Sequence, residues 1–197
     1  MNEADRHEAD TGSAARILPL GGLERELGRR IDATELARLD AIFFAASNTQ
    51  KFADPRLRNA FRERWLGRYL DRCCDHFFLA LGPQERIIGY LAGCLDDPAR
   101  HPLFADIGYF AALSDLTRLY PAHLHINIDS AWRGRGIGAR LIEAFCAHAA
   151  AAGRAGVHVM TGEQARNVRF YLRCGFRPLR STDWNALRLV ILGRNLA

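Results

Sequence analysis

Lysine is almost missing from this chain of 197 residues: Lys51 is the only one, and all but one of the 27 basic residues are arginine. The basic residues are spread along the chain and not stacked in one block, which argues against a dedicated nucleic-acid surface. A Walker-type nucleotide loop is also excluded, because no Gly-Lys pair is followed by Ser or Thr. The net charge of +5 is therefore available to a smaller anionic ligand.

Long apolar runs are absent as well. None reaches the roughly 18 residues that a membrane span needs, and the N-terminus lacks the apolar core of a signal peptide. The five cysteines are odd in number and lack metal-ligand spacing, which predicts reduced thiols, no metal site and a cytoplasmic protein. The length and an apolar content of 49% suit one core. We expect a disordered tail over residues 1–15 and a single domain over 16–197.

The most informative segment is Arg133-Gly134-Arg135-Gly136-Ile137-Gly138. It joins an alternating apolar strand, Ala122–Ile128, to an alanine-rich helix, Gly138–Ala152. Glycines in such a turn let the backbone approach a phosphate, while the first helical N–H groups and the helix dipole favour negative charge. The segment therefore predicts a cradle for a phosphate or pyrophosphate group.

A dinucleotide is one ligand that such a cradle can hold. Gly134-x-Gly136-x-x-Ala139 fits the fingerprint formally, and Glu163 follows the next apolar run, where a ribose-binding acid is expected. However, only about 60 residues follow the turn, too few for the remaining crossovers of a doubly wound sheet. The dinucleotide interpretation is the weaker one.

A second interpretation comes from the order Arg-x-x-Gly-x-Gly over Arg133–Gly138, which resembles the acetyl-CoA signature of the GNAT superfamily of N-acetyltransferases. Gly156–Met160 is then expected to be the next strand. The run Asn167–Phe176, with its Phe170-Tyr171 pair, is similar to the second signature of that superfamily. Two signatures in the right order are a more specific match than either one alone.

Within the superfamily, Leu119–Ile126 is similar to the acetyltransferase-like domain of the bacterial and O-GlcNAcase-associated branch. The chain departs from that branch at Asn127, where the branch has aspartate, and at Ser130, where it has proline. The departure at Asn127 keeps open a different class of function, a non-catalytic module that binds or senses acyl-CoA.

The resemblance implies an α/β fold with a mixed, mainly antiparallel sheet of about six or seven strands, flanked by about four helices and splayed between strands 4 and 5. It implies an acyltransferase that moves an acetyl group from acetyl-CoA to a primary amine by direct attack. The acceptor would be a small molecule or a peptide, and a longer acyl donor is left open. Neither nucleic acid nor membrane is an expected partner, and a homodimer through the last strands is one option.

The resemblance also implies which residues hold acetyl-CoA. Ile126 and Ile128 would present backbone groups to the acetyl or pantetheine portion, and Asn167 would bond the cofactor arm. Arginines of the turn are candidates for the pyrophosphate and the 3′-phosphate, which carry several negative charges. The remaining members of the cofactor set are Arg133, Gly134, Arg135, Gly136, Ile137, Gly138, Ala139 and Tyr171.

Tyr171 matches the position of the tyrosine that protonates the leaving thiolate in many relatives, so it is the candidate acid. A base or relay is needed as well, because an aliphatic amine with a pKa near 10.4 is only about 10⁻³ neutral at pH 7. His123, His125 and Asp129 should share one face of their strand with Asn127, and the histidines suit proton transfer near pH 7. A bulge expected in this strand could turn that face toward the acceptor.

The other patterns predict the rest of the domain. Arg16–Leu20 is expected as a first strand, and Asp32 with Glu35 should cap a helix that buries Leu39. Pro55 should begin a helix whose Leu57, Phe61, Trp65 and Tyr69 favour a core face over a substrate wall. The hairpin is predicted over Phe77–Leu81 and Arg86–Leu95, and the final strand over Leu187–Leu192. The irregular connection Asp96–Leu119 is expected beside the acceptor entrance, where it would set specificity.

Overall fold

The computed structural model describes residues 15–47, 49 and 51–196. The predicted tail lies outside these residues except for Ala15, which is buried against the core. Within the described ranges, no helix combines the length and the apolar character needed to cross a membrane.

Seven strands in the described part of the chain form one sheet, in the order β1-β2-β3-β4-β5-β7-β6. Neighbouring strands are antiparallel except β4 and β5, which are parallel. The predicted mixed, mainly antiparallel sheet is confirmed. The strands are β1 (Arg16–Pro19), β2 (Phe78–Leu81), β3 (Ile87–Cys94), β4 (Ala122–Ile128), β5 (Gly156–Gly162), β6 (Arg177–Trp184) and β7 (Leu187–Asn195).

The helices flank this sheet. The sequence patterns predict α2, the segment from α3 to α4, α7 and α8, whereas α1, α5 and α6 are too short to show a helical period. A π-helical turn, Glu63–Gly67, joins α3 to α4. The helices are α1 (Gly22–Leu27), α2 (Ala33–Ala46), α3 (Pro55–Arg62), α4 (Arg68–Arg72), α5 (Gly108–Ala112), α6 (Ser114–Thr117), α7 (Ile137–Ala151) and α8 (Asn167–Arg173).

Helix α2 begins as its sequence predicts. The Asp32 side chain accepts a hydrogen bond from the Glu35 N–H at 2.8 Å, and the Glu35 carboxylate accepts one from the Asp32 N–H at 3.1 Å. This reciprocal capping box satisfies two backbone donors that a helix start leaves unpaired. Leu39 is fully buried beneath the helix, as expected from its position.

The segment from α3 to α4 corrects one expectation. Leu57, placed on the predicted core face, is 53% exposed, whereas Tyr69 is buried. Residues 55–60 are all exposed, so the first turns of α3 project beyond the core, whereas Phe61 and Trp65 pack against it. Only the part of this segment from Phe61 onward faces the protein interior.

Two layers of helices cover the two faces of the sheet, each with its own core. On one face, α7 and α8 pack over Leu124, Val157 and Val159. Gly93 lets α7 approach closely, because a Cβ there would collide with the Phe145 ring. On the opposite face, α2, α4 and the 96–119 connection cover Tyr90.

The last two strands form a hairpin that the sequence patterns predict only in part. Strand β7 extends beyond the predicted Leu187–Leu192, and β6 had no apolar alternation to mark it. Asn185 and Ala186 both have positive φ, 44° and 60°, which suits a two-residue hairpin loop whose twist matches that of the strands.

The sheet divides between β4 and β5. These strands share only two registered pairs, Ala122↔Val157 and His123↔His158, before they separate. Strand β5 then remains paired with β7 along its whole length, while β4 remains paired with β3. The predicted splay between strands 4 and 5 is confirmed. The bulge predicted in β4 is not observed, because its register with β3 runs unbroken and the register shifts lie in β2 and β6.

Candidate active site

A cavity of about 320 Å³ lies in the gap where β4 and β5 separate. We call it the splay cavity. Its wall draws on both helical layers, on both separated strands, on the 96–119 connection and on the β6–β7 hairpin. The lining residues are Ser47, Trp65, Tyr69, Tyr109, Phe110, His123, Leu124, His125, Ile126, Asn127, His158, Met160, Thr161, Asn167, Tyr171, Trp184 and Leu189.

The splay cavity connects the two faces of the sheet. Leu124 and Tyr171 belong to the core under α7 and α8, and Ile126 packs against it. The side chains of His123 and His125 point to the other face, where both rings contact Tyr69. Since successive side chains of a strand alternate between faces, β4 alone supplies both halves of the wall.

Strand β4 also directs backbone groups into the gap. The Asp129 N–H donates to the Ile88 carbonyl at 2.9 Å, so the peptide groups of odd-numbered β4 residues face β3. Because the peptide groups of a strand alternate in direction, the N–H and C=O groups of Ile126 and Ile128 point the opposite way. They face the side on which β5 has separated from β4. These are the two positions predicted to present backbone groups to an acyl donor.

The turn before α7 has the shape expected of an anion cradle. Gly134 and Gly136 have φ of 78° and 77°, in the left-handed region that favours glycine. A Cβ at either position would meet nothing within 4 Å, so the space beside the turn is open. Helix α7 begins at Ile137, one residue earlier than predicted, and the N–H groups of its first turn have no partner within the helix.

Both arginines of the turn are held beside it. The Nε atom of Arg133 donates to the Ile128 carbonyl at 3.1 Å. The Arg135 guanidinium lies 4.8 Å from the centre of the Trp132 ring, in cation–π contact. Each contact restrains an arginine near the cradle, where the charged group can meet a phosphate.

Helix α8 brings the second signature to the cavity. Phe170 packs against the start of α7, with its ring 3.0 Å from where a Cβ of Gly138 would lie. On the next residue, Tyr171 is buried, and burial raises the pKa of its hydroxyl above the usual range. Asn167 is not the N-cap of α8; its side-chain oxygen instead accepts from the Thr161 hydroxyl at 2.8 Å.

Three histidine rings lie on the other side of the cavity. His123 is buried, and its ring centre is 5.6 Å from that of His158 and 4.6 Å from that of Phe104. Burial lowers the pKa of His125 and of His158 to about 4, and it also lowers that of His123 well below its ordinary value, with a further contribution from the two neighbouring histidines. All three rings are therefore neutral near pH 7, each with a nitrogen able to accept a proton.

Comparison with known proteins now assigns the family. Residues 74–178 match the family model described as an acetyltransferase (GNAT) domain, which is more than half of the chain. The chain belongs to the GNAT family. Neither this match nor the structures below identify the O-GlcNAcase-associated branch, which remains a hypothesis based on Leu119–Ile126.

Solved structures share the GNAT fold with this chain. The protein called SsHAT superposes with a TM-score of 0.69 at 21% identity, over 93% of this chain and 99% of that one. An N-acetyltransferase from Staphylococcus aureus Mu50 gives 0.58 at 16% identity, over 94% and 100%. The protein YncA from Salmonella typhimurium, solved with acetyl-CoA, gives 0.55 at 16% identity, over 93% and 95%. At these identities the likeness concerns the fold alone.

His158 lines the splay cavity, and sequence reasoning missed it. Its Nδ1–H donates to the Tyr120 carbonyl at 2.5 Å, which leaves Nε2 as a buried acceptor with no hydrogen-bond partner among the described residues. A signal was available, because Gly156–Met160 alternates and places His158 on the face opposite Val157 and Val159. In the parallel pair, His158 then lies directly beside His123.

Asp129 is not brought together with the histidines. Its carboxylate accepts from the Ala131 N–H at 3.0 Å and forms a short ion pair with Arg38. Arg38 also donates to the Ile87 carbonyl at 3.1 Å, so the pair fastens α2 to the ends of β3 and β4. These contacts hold the pKa of the Asp129 carboxyl below its usual range, the Ala131 N–H contributing most. The role of this aspartate is therefore better explained as positioning the end of β4.

Asn127, at the position where the related branch has aspartate, does line the cavity. Its side-chain N–H donates to the Tyr90 hydroxyl at 2.8 Å, across the β3–β4 pair. An amide at this position cannot act as an ionised base, which leaves the histidines as the candidate proton acceptors among the lining residues.

Proposed function

We propose that this GNAT protein transfers an acetyl group from acetyl-CoA to a primary amine by direct attack. The observation that carries the proposal is the splay cavity itself, which passes through the sheet. The face with the cradle can hold an acyl donor, and the face with the histidines can receive an amine. The two reactants would meet in the gap between β4 and β5.

The residues of the cradle suit the CoA phosphates. The first N–H groups of α7 point into open space, where a pyrophosphate would accept from them. Arg133 and Arg135 lie beside that space and supply positive charge. Farther along the gap, the backbone groups of Ile126 and Ile128 and the side chain of Asn167 would bond the arm. When bound, acetyl-CoA supplies the activated acyl group.

Tyr171 would stabilise the leaving sulfur. Attack of the amine nitrogen on the carbonyl carbon breaks the carbon–sulfur bond and leaves a thiolate. Because burial raises its pKa, the Tyr171 hydroxyl keeps its proton and can donate a hydrogen bond to that thiolate. Complete transfer of the proton would leave a buried phenolate, which the same burial opposes. Hydrogen-bond donation is therefore the favoured role.

The histidines would receive the proton from the attacking nitrogen. An amine that has added to a carbonyl carries an N–H⁺ group far more acidic than the free ammonium. The neutral rings of His125 and His123 offer acceptor nitrogens for it on the amine side of the cavity. His158, next to His123, can extend this pair into a relay of three rings.

A matched pair of glycine variants tests the donor site. Gly136 in the cradle and Gly153 after α7 both have positive φ, 77° and 73°, and at both positions a Cβ would enter open space. We expect Gly136→Ala and Gly153→Ala to lose similar stability, on the order of 1 kcal/mol, because each strains one residue. Only Gly136→Ala should lose affinity for acetyl-CoA, since only its methyl group enters the cradle.

Thermal unfolding with and without acetyl-CoA measures this difference. At 100 times its dissociation constant, a ligand stabilises the folded state by about 2.7 kcal/mol, or about 5–11 °C for a domain of this size. The wild type and Gly153→Ala should show the shift, and Gly136→Ala a much smaller one. Equal shifts in all three proteins, or no shift in the wild type, would remove the cradle from the proposal.

A non-catalytic acyl-CoA sensor is the second candidate, and one observation favours it. No carboxylate lines the cavity among the described residues, and the histidines there hold protons weakly. Release of free thiol from acetyl-CoA on addition of amines distinguishes the two functions. Binding of acetyl-CoA without amine-dependent thiol release at any pH from 7 to 9 would favour the sensor.

A further inference from the structure

The amine side of the splay cavity has an unusual wall. Among the described residues, no aspartate, glutamate, lysine or arginine lines the cavity. The wall on this side consists mainly of apolar and aromatic groups together with the neutral histidines, and its other polar members, Ser47 and Asn127, are uncharged. Its apolar and aromatic members are Trp65, Tyr69, Tyr109, Phe110, Met160, Trp184 and Leu189.

The aromatic groups come from distant parts of the chain and close one end of the cavity. Tyr109, from the 96–119 connection, packs edge-on against Trp184 of the β6–β7 hairpin, with ring centres 5.1 Å apart. Tyr109 is 6% exposed and also contacts Phe110, whose ring lies 5.9 Å from that of His158. These rings form a surface on which a flat, apolar group can pack.

Acidic side chains of the 96–119 connection, which supplies part of the wall, are paired with arginine. Asp106 lies 2.8 Å from both Arg64 and Arg68. Asp115 lies 2.6 Å from Arg180. The residues that line the cavity therefore offer a bound cation no carboxylate. Burial already disfavours positive charge here, because it holds the pKa of His125 and of His158 near 4.

From this wall we infer that the acceptor is a primary amine whose remaining body is uncharged and apolar, with an aromatic ring as the best fit, and not a diamine, polyamine or guanidino amine. The inference rests on the proposed function, because it names the acceptor class of the same site. The whole splay cavity, about 320 Å³, is at the lower end of the range for small-molecule sites, roughly 300–1,000 Å³, and the donor would share it, so the amine side suits at most one ring and a short chain.

Two amines of equal length test the charge preference. Hexylamine carries a terminal methyl group where 1,5-diaminopentane carries a second ammonium group. 2-Phenylethylamine carries an aromatic ring in place of the alkyl chain end. We expect hexylamine to exceed 1,5-diaminopentane by on the order of 100-fold in kcat/KM, because the second ammonium would be buried without a partner. We expect 2-phenylethylamine to equal or exceed hexylamine. Comparable values for hexylamine and the diamine, or a preference for the diamine, would overturn the inference.

Binding measured without turnover separates this inference from the proposed function. Calorimetric titration of the CoA-loaded protein with the same amines should give the same order of affinity, whether or not any amine is acetylated. Apolar amines that bind but release no thiol would refute the transferase and leave standing only the preference of the cavity for apolar amines. Tighter binding of the diamine than of hexylamine would refute the acceptor class whatever the turnover.

Met160 offers a matched pair of variants. It lies half-buried in the wall on β5, and Glu and Gln have nearly its length and shape. Met160→Glu places a carboxylate in the cavity. The kcat/KM for 1,5-diaminopentane divided by that for hexylamine should therefore be about tenfold or more higher in Met160→Glu than in Met160→Gln. If the two variants have the same ratio, this part of the wall does not contact the acceptor, and the inference fails.

Discussion

The buried histidines should make the protein sensitive to mild acid. For His125 and His158 the folded-state pKa is about 4, below the ordinary value of 6.5. Between these two pH values the histidines are protonated in the unfolded chain and neutral in the folded protein. Their contribution to the free energy of unfolding is complete above pH 6.5 and is lost as the pH falls from about 6.5 toward 4. His123 shifts in the same direction and adds to the effect.

The size of the loss follows from the pKa difference. Within the window, each site loses about 1.4 kcal/mol per pH unit, which is about 2 kcal/mol between pH 7.5 and pH 5. Two sites together lose about 4 kcal/mol, or roughly 8–16 °C in Tm for a domain of this size. Carboxyl groups such as Asp106 and Glu143 share little of this window. Their pKa values are lowered from 3.8 and 4.5, so their contribution to stability is lost mainly as the pH falls below those unfolded values.

Urea unfolding at pH 7.5, 6.5, 5.5 and 5 measures the loss. The variant His158→Asn isolates one site, because its side-chain N–H can take the place of Nδ1–H toward the Tyr120 carbonyl but cannot be protonated further. It should be less stable than the wild type at pH 7.5, because its smaller side chain leaves a cavity, yet lose about 2 kcal/mol less on acidification. A wild type whose stability changes by less than about 1 kcal/mol, or an equal loss in the variant, would refute the reasoning.

Three further predictions concern the chemistry and the frame of the site. Tyr171→Phe should lower kcat, measured by thiol release, by about 100-fold or more and change the KM for acetyl-CoA by no more than a few-fold. An unchanged kcat would show that the hydroxyl has no part in the mechanism. With hexylamine, kcat/KM should rise about tenfold per pH unit from pH 7 to 9, because only the neutral amine attacks. A flat profile would mean that the ammonium form is bound and then deprotonated inside the cavity. Arg38→Ala should lower the free energy of unfolding in urea by about 1–3 kcal/mol, because the Ile87 carbonyl and the Asp129 carboxylate both lose the Arg38 donor. An unfolding free energy equal to that of the wild type would show that the ion pair is dispensable.

Sequence patterns predicted those parts of the fold that depend on a few neighbouring residues. The capping box of Asp32 and Glu35 and the Gly82–Glu85 turn act over three or four positions, so their residue types are enough to identify them. The cradle is equally local, because Gly134 and Gly136 adopt the positive φ that their turn requires.

Other elements depend on distant contacts and left no local pattern. Strand β6 exists because it pairs with β7, and its sequence shows little apolar alternation. The exposure of Leu57 depends on where the core ends beneath α3, which the spacing of Leu57 and Tyr69 could not reveal. The amine side of the cavity is the extreme case, because Trp65, Tyr109 and Trp184 meet only after the whole sheet has assembled.

The division of the sheet provides the two sides on which the proposed function depends. Strand β4 remains paired with β3 and β5 with β7, so two antiparallel units diverge from a junction of only two residue pairs. The divergence leaves the backbone groups of Ile126 and Ile128 without a strand partner on one side. Arg133 bonds the Ile128 carbonyl, and any group that stayed buried and unbonded would be costly. Under the proposed function, amide groups in the arm of the acyl donor would bond the remaining backbone groups much as a missing strand would, and the thioester would reach the level of the histidines. The same gap would then both favour an amide-bearing donor and open the passage through which an amine reaches it.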